Sequence, residues 1–572
     1  MNTMLKKLSY FVFLLFILSA CSSDQEDLTN KKAIGGVKYG GEFRFMSKEK
    51  VSSFLPIQAS DIYTNRIVSQ IFETVLTMDE NGENVVPGLA ESFKVSADGK
   101  KYTLKIRKGV FFHDDDCFGG EGRELTADDV KFTFDMACSG LKINESSHIL
   151  MSLVKGAEDF YKKTKSEYKD GGVSGVKVID KNTLEIELIS AYSGFDKLLT
   201  FPGFGVFPKE AYDEYGNDIV DHPVGTGPFK LSETDASHVL LLRNDKYWKK
   251  DDFGNQMPFL ASVRMTYSKT KKDELVSFRK GEIDLVLSIP VDEVENVLGS
   301  LQEAQDGKTI KHKVHALQSN SVIYVGMNHN YGPLKDIAVR QAMNLAIDRN
   351  AIVNEMLMGE GYAVLHGFIP PTESFDYEKV KGPKYNVEVA KALLAKAGYP
   401  NGEKFPTLQL YVSGAPGTKH VILAEGFVKQ LKQNLNINVV LKNVELSKRN
   451  SAVADQKAPL WLAGWVADYP DPSNFLSLFY GKNAGKGSAF INPFNYKNPL
   501  FDKTFENANK EENEQKRMNY LVQCDQIIID EAVVLPMIND DFITMTNARV
   551  RNFTTNSLEN INLSRIFIKE LK

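Results

Sequence analysis

Hydrophobic and polar residues alternate in several short segments of the chain, and this pattern predicts strands with one buried face. Strands are predicted at 102–106, 184–188 and 437–441. Other segments repeat hydrophobic residues three or four positions apart, which predicts helices. Helices are predicted at 127–137, 338–346, 390–397 and 423–431. Because the two patterns are mixed throughout, we expect an α/β plus α+β protein of several domains, without clean boundaries in the sequence.

Capping and turn residues add detail at three places. Thr126 precedes an acidic first turn and is close to a capping box, and Asp348 is placed to cap the helix that follows it. Segment 222–228 contains two prolines and two glycines, which predicts a tight turn. We expect Gly225 and Gly227 to adopt positive φ in that turn.

Length and charge narrow the class of protein. The 572 residues correspond to about four domains at roughly 150 residues each. Hydrophobic residues make up 42% and charged residues 25% of the chain, which is typical of a globular protein. Basic residues number 69 against 74 acidic ones, a net charge of −5, so there is no positive excess to neutralise phosphates. We therefore expect neither a disordered chain, nor a multi-span membrane protein, nor a nucleic-acid partner.

The first 20 residues have the pattern of an export signal. Lys6 and Lys7 precede a hydrophobic run at 10–18, which is too short to cross a hydrocarbon core of roughly 30 Å. The Leu-Ser-Ala-Cys sequence that ends at Cys21 resembles a bacterial lipobox. The resemblance implies a signal peptide over 1–20, a lipid on Cys21 and a membrane-bound tether over 21–35. An ordinary signal with a coincidental cysteine is the alternative.

Cysteines are too few for a disulfide framework. Of the four cysteines, Cys117, Cys138 and Cys524 remain beside Cys21. An oxidising cell envelope permits a bridge, and Cys117 and Cys138 are the nearest pair in sequence. The sequence does not fix the distance between them, so the bridge and two free thiols both stay open.

Catalytic and cofactor motifs are incomplete in this sequence. Segment 481–486 has the glycines and lysine of a phosphate-binding loop at the wrong spacing, and Gly487 stands where Ser or Thr is needed. His312 and His315 lie three apart in an alternating segment, so they should point to opposite faces of a strand rather than share a metal. The acidic segment 113–116 lacks the spaced oxygens of a calcium loop and is interpreted as a solvated turn. We expect no enzyme activity, no cofactor and no metal site.

A set of segments in fixed order carries a family resemblance. The set contains LTADDVKFTFD at 125–135 and AGWVADYPDPSN at 463–474. The other members are 86–93, 100–109, 112–114, 223–231, 339–350 and 535–536. Together they resemble the family 5 extracellular solute-binding proteins, which are the oligopeptide, dipeptide and nickel receptors of ABC importers. The resemblance covers nearly the whole chain from about residue 36.

The family resemblance implies a two-lobed, periplasmic-binding-protein-like fold with an extra inserted domain (cluster C type). Domain I would be discontinuous, domain II would be the inserted domain, and domain III would form the opposite lobe. The expected ranges are 36–65, 173–319 and 536–572 for domain I, 66–172 for domain II and 320–535 for domain III. Two crossover segments between the lobes are expected at 318–321 and 533–536.

The same resemblance implies a ligand site. Asp468 would pair with the α-amine of a peptide, and the backbone of Gly464 to Val466 would pair with the peptide backbone. Trp465 would form the wall of a side-chain pocket, and Tyr324 is a further candidate for the lining of the cleft. Core packing is the alternative for Trp465, and a turn or cap is the alternative for Asp468. We can name no residue for the ligand carboxylate.

These expectations define a lipid-anchored, monomeric substrate-binding protein of the cell envelope, facing the periplasm or the outer surface. It would capture peptides, with oligopeptides favoured, in an interlobe cleft and deliver them to an ABC transporter permease. Two alternatives stay open. The same fold could carry a nickel chelate, haem, a sugar or another amine, or the chain could be a lipid-anchored envelope enzyme.

Overall fold

The computed structural model describes residues 33–59, 61–268, 270–287, 289, 312–372, 375–484 and 492–569. The predicted signal peptide, Cys21 and most of the predicted tether lie outside the described residues. Among the helices in the described ranges, none combines the length and the hydrophobicity needed to cross a membrane.

The strands of the described residues are short and spread over the whole chain. In chain order they are β1 (Glu42–Ser47), β2 (Leu76–Met78), β3 (Val85–Pro87), β4 (Ala90–Val95), β5 (Lys101–Ile106), β6 (Val176–Asp180), β7 (Thr183–Glu187), β8 (Phe229–Thr234), β9 (His238–Arg243), β10 (Ser262–Tyr267), β11 (Leu285–Val286), β12 (His312–Gln318), β13 (Ser321–Met327), β14 (Tyr362–Ala363), β15 (Leu408–Val412), β16 (Val439–Asn443), β17 (Leu460–Val466), β18 (Val534–Asn539), β19 (Asp541–Asn547), β20 (Val550–Arg551) and β21 (Phe567–Ile568).

Helices alternate with these strands. In chain order the α-helices are α1 (Ile62–Ile71), α2 (Ala127–Ala137), α3 (Ser147–Met151), α4 (Ala157–Lys163), α5 (Phe195–Leu198), α6 (Lys209–Tyr215), α7 (Lys271–Arg279), α8 (Ile337–Leu345), α9 (Arg349–Ala351), α10 (Val387–Lys396), α11 (Lys419–Leu435), α12 (Leu446–Ala454), α13 (Pro472–Leu476), α14 (Pro499–Lys510) and α15 (Glu514–Asp530).

The first lobe is built on a seven-stranded mixed sheet in the order β12-β19-β11-β1-β10-β9-β8. β1 is parallel to β10 and β11, while the other neighbours are antiparallel. A four-stranded antiparallel sheet in the order β4-β5-β7-β6 belongs to the same lobe. One hydrophobic core joins the two sheets, because it contains Phe43 of β1 together with Leu104 of β5.

The second lobe is built on a six-stranded sheet in the order β14-β18-β13-β17-β15-β16. β13 is antiparallel to both β17 and β18, and β15 is parallel to β16 and β17. Hydrophobic clusters lie on both faces of this sheet: Ile323 and Val325 of β13 belong to one cluster, and Val322 and Tyr324 belong to the other. The mixed α/β, two-lobed fold is therefore confirmed.

The four-stranded sheet extends beyond the range expected for domain II. Its strands β6 and β7 follow residue 172, and β7 pairs with β5 in the middle of the sheet. The sheet therefore runs to Glu187. At the other end, the expected boundary at 65–66 falls inside helix α1. The sequence did not show that the chain returns to this sheet after 172, because strand pairing is not visible in a local pattern.

The two lobes are joined at two adjacent crossovers. The first is Ser319 and Asn320, between β12 and β13, which lies inside the expected segment 318–321. The second is Asp540, between β18 and β19, which is later than the expected 533–536 because β18 still pairs with β13 through Ile538. The Ser319 N–H donates to the Asp540 carbonyl oxygen at 3.0 Å, so the crossovers contact each other.

Local signals for helix ends were accurate, whereas the reason given for the glycine turn was wrong. Thr126 forms a capping box with Asp129, and Asp348 accepts a hydrogen bond from the Ala351 N–H. Gly225 and Gly227 do not have positive φ. A Cβ on either residue would instead clash with the backbone carbonyl of Ile71 at the end of α1.

Candidate functional site

Strand β17 lies in the middle of the second lobe's sheet and carries the backbone that was expected to bind a ligand. Its register with β13 places Val466 opposite Ser321 and Gly464 opposite Ile323. The Ala467 N–H donates to the Asn320 carbonyl oxygen at 2.9 Å. Because hydrogen-bonded pairs alternate along an antiparallel ladder, the N–H and C=O groups of Gly464 and Val466 point away from β13.

The edge of β17 that faces away from β13 is only partly covered. β15 pairs with β17 at Leu460 and Trp461 and not further along. Within the described part of the chain, 462–466 therefore has no strand neighbour on that side, and we call it the open edge of β17. An open edge with free backbone donors and acceptors is what an extended chain needs in order to add as a further strand.

Asp468 follows the open edge directly. Its Oδ2 accepts a hydrogen bond from Asn474 Nδ2 at 3.1 Å, and its own N–H donates to Asn474 Oδ1 at 3.3 Å. Burial raises the pKa of Asp468 to about 6, although the hydrogen bond from Asn474 opposes the rise. Among the described residues, no Lys, Arg or His lies within ion-pair distance of this carboxylate. Asp468 is thus a carboxylate that burial destabilises and that lacks a cationic partner.

Asn474 holds the two candidate side chains in place. It lies in α13, which Asp471 caps by accepting from the Ser473 N–H. Asn474 Oδ1 accepts from the indole N–H of Trp465 at 2.7 Å as well as from the backbone of Asp468. Only 3% of Asn474 is exposed, so it is a positioning residue. Sequence reasoning missed it, although it ends the motif 463–474.

The two tryptophans of this region have different environments. Trp461 is buried in the core of the second lobe, whereas Trp465 is only partly buried and packs at the margin of that core. The indole of Trp465 is tied to the same amide as Asp468. Its role as a pocket wall stays a prediction.

Tyr324 does not line the cleft. Only 3% of it is exposed, and its ring packs against Phe368 at 5.3 Å and Phe494 at 5.9 Å between centroids. The reason is that β13 is a central strand with every residue buried. Its position just after the crossover suggested a cleft residue, but burial on both faces places this side chain in the core.

A cavity of about 200 Å³ lies between Asp468 and the first lobe. Most of its lining side chains are polar and belong to α1, to the loop before β2 and to the C-terminal loops. Glu73 is the best-connected of them, because it accepts from Tyr247 Oη at 3.0 Å and from Trp248 Nε1 at 2.8 Å and pairs with Lys249 at 3.1 Å. Asp468 is the second lobe's contribution to this cavity.

The residues just after Asp468 contact the first lobe. Tyr469 is 7% exposed and packs within the first lobe's core. The hydroxyls of Tyr192 and Ser473 are 2.8 Å apart and hydrogen-bonded. Asp471 forms an ion pair with Arg517, with N–O distances of 2.6 and 2.9 Å. The lobes are therefore in contact beside Asp468.

Of the two states that the sequence left open for Cys117 and Cys138, the structure has the free thiols. Cys117, Cys138 and Cys524 are free thiols. Cys117 interacts with the carboxylate of Asp115, while Cys138 is buried at the end of α2. Cys21 lies outside the described residues.

Metal ligands do not cluster in the described ranges, where no group of three or more His, Cys, Asp or Glu is placed to hold an ion. His312 and His315 lie on β12, as expected. The segment 113–116 is not simply solvated, because His113 is 4% exposed and its Nε2 lies 3.0 Å from the Gly227 carbonyl oxygen.

Two lobes joined by two crossovers, with a partly open strand edge and a carboxylate facing the cavity between them, define a two-lobed binding protein. The sequence model of the family described as "Bacterial extracellular solute-binding proteins, family 5 Middle" matches residues 84–487. The chain belongs to this family.

Named relatives match most of the chain. It is 27% identical to the oligopeptide-binding protein OppA of Bacillus subtilis, over 91% of each chain. It is 25% identical to the heme-binding protein A of Haemophilus influenzae, over 86% of this chain and 85% of that one. Among solved structures, a periplasmic oligopeptide-binding protein of Borrelia burgdorferi matches with a TM-score of 0.80 and 26% identity, over 93% of this chain and 100% of that chain.

Proposed function

We propose that this protein captures peptides with a free amino terminus in the cleft between its lobes and delivers them to the permease of an ABC importer. One observation carries the proposal: the open edge of β17 ends at the carboxylate of Asp468, which has no cationic partner among the described residues. A peptide offers a matching pair of features, a backbone that can pair with the edge and an ammonium that can pair with the carboxylate.

The contacts in this proposal do not depend on which side chains the ligand carries. Backbone pairing with Gly464 and Val466 requires only an extended chain, and a charge-assisted hydrogen bond to Asp468 requires only an ammonium. An ammonium enclosed in the cleft loses its water, and Asp468 restores the hydrogen bonds that water supplied. A receptor built in this way recognises peptides as a class, which agrees with relatives named for oligopeptides.

A second cargo has one observation in its favour. A relative of 25% identity is named a heme-binding protein. Haem carries two propionates and no ammonium, so Asp468 would repel rather than bind its charged groups. Haem, nickel chelates, sugars and other amines are therefore alternative outcomes of the test rather than the proposal.

Attachment to a membrane belongs to the same proposal. We propose that Cys21 receives a lipid, that 1–20 is removed, and that the protein works in the cell envelope as a monomer that binds solute without transforming it. The supporting observation is the lipobox-like sequence before Cys21. More than one acyl chain on that residue is sufficient for stable anchoring.

The test is a calorimetric titration of the purified mature protein with peptides of two to six residues, together with mass spectrometry of any ligand that co-purifies. We expect peptides in the co-purified fraction and saturable binding of several peptides with unrelated side chains. Haem, a nickel chelate and a disaccharide are the comparison ligands. Binding of one of these, with no response to any peptide, would contradict the proposal.

A further inference from the structure

Two large hydrophobic side chains are exposed beside the point where the described chain begins. Ile34 is 64% exposed, and Phe253, in the loop that precedes β10, is 60% exposed. The two residues are neighbours in space, because a Cβ on Gly35 would lie 2.9 Å from the Phe253 ring. The glycines between and beside them are exposed as well. We call residues 34–36, 253 and 254 the entry patch.

The backbone of Ile34 is fixed to the fold, so its exposure is not that of a loose chain end. The Ile34 N–H donates to Asn255 Oδ1 at 2.8 Å, and Asn255 Nδ2 donates to the Ile34 carbonyl oxygen at 2.9 Å. Asn255 is buried, and its Nδ2 also donates to Asp251 Oδ2 at 2.7 Å. One buried side chain thus satisfies both backbone groups of Ile34 and keeps the isoleucine side chain at the surface.

Phe253 stands at the tip of a turn that its own neighbours hold. Asp251 Oδ1 accepts from the Phe253 N–H at 3.0 Å and from the Asn255 N–H at 2.8 Å. The Gly254 N–H donates to the Asp251 carbonyl oxygen at 3.0 Å, and Gly254 has a φ of +81°. An Asp side chain that closes a turn on its own backbone fixes the residues within the turn. The exposed position of the Phe253 ring is therefore set by the turn.

A small hydrophobic core lies next to the entry patch but does not include its two large side chains. The buried members of this core are Tyr247, Met257, Phe259 and Phe567. Among the described residues, the hydrophobic clusters contain neither Ile34 nor Phe253. The two side chains therefore add little to the packing of the fold, and a partner that removed them from water would gain free energy.

The position of the entry patch in the chain indicates what would cover it. Ile34 follows Cys21 by 13 residues, and a chain of that length reaches at most about 45 Å even when fully extended. The lipid proposed on Cys21 therefore keeps the entry patch close to the surface of one bilayer. A partner attached in this way needs only a small contact, because its local concentration is high.

Charges around the entry patch favour a bilayer that contains anionic lipids. The segment 31–38 carries three lysines and no acidic residue, in a chain whose net charge is −5. Of the two acids in the loop, Asp251 is occupied by the turn, and Asp252 lies 3.6 Å from Arg565. Lysines close to a membrane are attracted to anionic headgroups, while hydrophobic side chains enter the boundary between headgroups and acyl chains.

We propose that the entry patch binds the bilayer that holds the lipid of Cys21, with Phe253 and Ile34 inserted at the level of the headgroups. This inference rests on the lipid anchor of the proposed function and does not depend on the cargo. The entry patch is a rigid part of the first lobe, so its contact with the bilayer holds that lobe in one orientation on the membrane. A lipid tether alone would not fix an orientation.

The first test measures the insertion of Phe253 directly. The lipidated mature protein with Phe253→Trp is reconstituted into vesicles of phosphatidylethanolamine and phosphatidylglycerol, with and without bromine on the acyl chains, because bromine quenches tryptophan emission on contact. Leu500→Trp is the matched control, since Leu500 is 62% exposed and lies on α14 of the second lobe. We expect a loss of emission for Phe253→Trp beyond that of the three native tryptophans, and no additional loss for Leu500→Trp.

A second reporter covers the case in which the larger ring at position 253 disturbs the turn. Ile34→Trp places the indole on the other hydrophobic residue of the entry patch, and we expect it to be quenched in the same way. An unchanged melting temperature and an unchanged peptide affinity show that each variant keeps the fold.

The second test uses the sequence of the tether. Trypsin cleavage after Lys31 or Lys32 releases the protein from the vesicles, and mass spectrometry of the released chain identifies the cut. Both lysines lie within three residues of Ile34, so contact of the entry patch with the bilayer should shield them. We expect Phe253→Ser and Ile34→Ser to be released several-fold faster than the wild type, and Leu500→Ser to be released at the wild-type rate.

Two outcomes overturn this inference. One is quenching of Phe253→Trp and Ile34→Trp that does not exceed that of Leu500→Trp, and the other is release of both serine variants of the entry patch at the wild-type rate. Either result, with fatty acid on Cys21 and peptides still bound, would leave the proposed function standing. Absence of fatty acid from Cys21 would refute the anchor together with this inference, whereas failure of every peptide to bind would refute only the proposed cargo.

Discussion

The affinity for peptides should depend on pH through Asp468. Burial raises the pKa of this carboxyl from 3.8 to about 6 when the lobes are in contact and no ligand is bound. That rise corresponds to about 3 kcal/mol of free energy that disfavours the charged form. An ammonium bound beside Asp468 favours the charged form and lowers the pKa, so the complex holds fewer protons than the free protein does. Affinity should therefore fall as the pH drops through 6.

The size of the effect follows from the protonated fraction. With a pKa of about 6, roughly ten in eleven Asp468 side chains are protonated at pH 5, against about one in thirty at pH 7.5. Only the ionised form attracts the ammonium. The dissociation constant of a free-amine peptide should therefore be about tenfold higher at pH 5 than at pH 7.5.

The assay is a series of calorimetric titrations at pH 5.0, 5.5, 6.0, 6.5 and 7.5 with one tetrapeptide, on the wild type and on Asp468→Asn. The variant keeps the side-chain shape and cannot titrate, so its weaker affinity should be nearly constant over this range. The N-acetylated peptide should also show no pH dependence.

Three other acidic residues line the same cavity and could in principle cause a pH dependence of binding. Glu73, Asp79 and Glu80 line it, and each has a partner: Lys249 for Glu73, Asn84 for Asp79 and Arg565 for Glu80. If Asp468→Asn retained the tenfold pH dependence, one of these groups and not Asp468 would control it. The reasoning about Asp468 would then be refuted.

Four further predictions concern positioning, stability, anchoring and closure. Asn474→Ala should weaken free-amine peptides by about tenfold, because Asp468 and Trp465 lose their shared hydrogen bonds, and tryptophan emission should shift. Asp525 is fully buried and its pKa is raised to about 7, so the folded state favours its protonated form. As the pH falls from 8 to 4, the free energy of unfolding of the wild type should therefore rise by up to about 4 kcal/mol relative to that of Asp525→Asn, as measured by urea unfolding. Cys21→Ser should block incorporation of labelled fatty acid. A wild type that incorporates no labelled fatty acid would contradict the lipid anchor. A bound peptide should reduce the radius of gyration in solution scattering and raise the melting temperature, and no change in either quantity would contradict closure.

Local sequence patterns predicted helices and strands well, because the formation of these elements depends mainly on residues that are neighbours in sequence. The strand at 102–106 is β5 and the helix at 423–431 lies within α11. The capping box of Thr126 is formed by residues three positions apart. In each case the relevant contact lies within a few residues of the pattern that predicts it.

Features that depend on distant pairing were missed or misplaced. The four-stranded sheet continues past residue 172, where domain II was expected to end, because β7 returns to β5 over some 80 residues and β6 pairs with β7. Tyr324 was placed on the cleft because no local signal shows that β13 lies between β17 and β18. Sheet order decides which residues of a strand are enclosed, and a single sequence does not contain it directly.

The candidate site combines residues that the sequence predicted with residues that only the structure revealed. Asp468 and the backbone of Gly464 to Val466 came from a motif, and the structure brings them together at one edge. Asn474 came only from the structure. The openness of the edge depends on where β15 stops, and this has no sequence signature.

The most direct test of the account is a double-mutant cycle between Asp468 and the ligand's amino group. Four dissociation constants are measured by calorimetry at pH 7.5, for the wild type and Asp468→Ala with a free-amine tetrapeptide and its N-acetylated form. If Asp468 pairs with the ammonium, each single change should weaken binding by about 2–5 kcal/mol, and the second change should add little to the first. If Asp468 were only a turn residue, the variant would lose equal affinity for both peptides and the two changes would be additive, which would contradict the central claim.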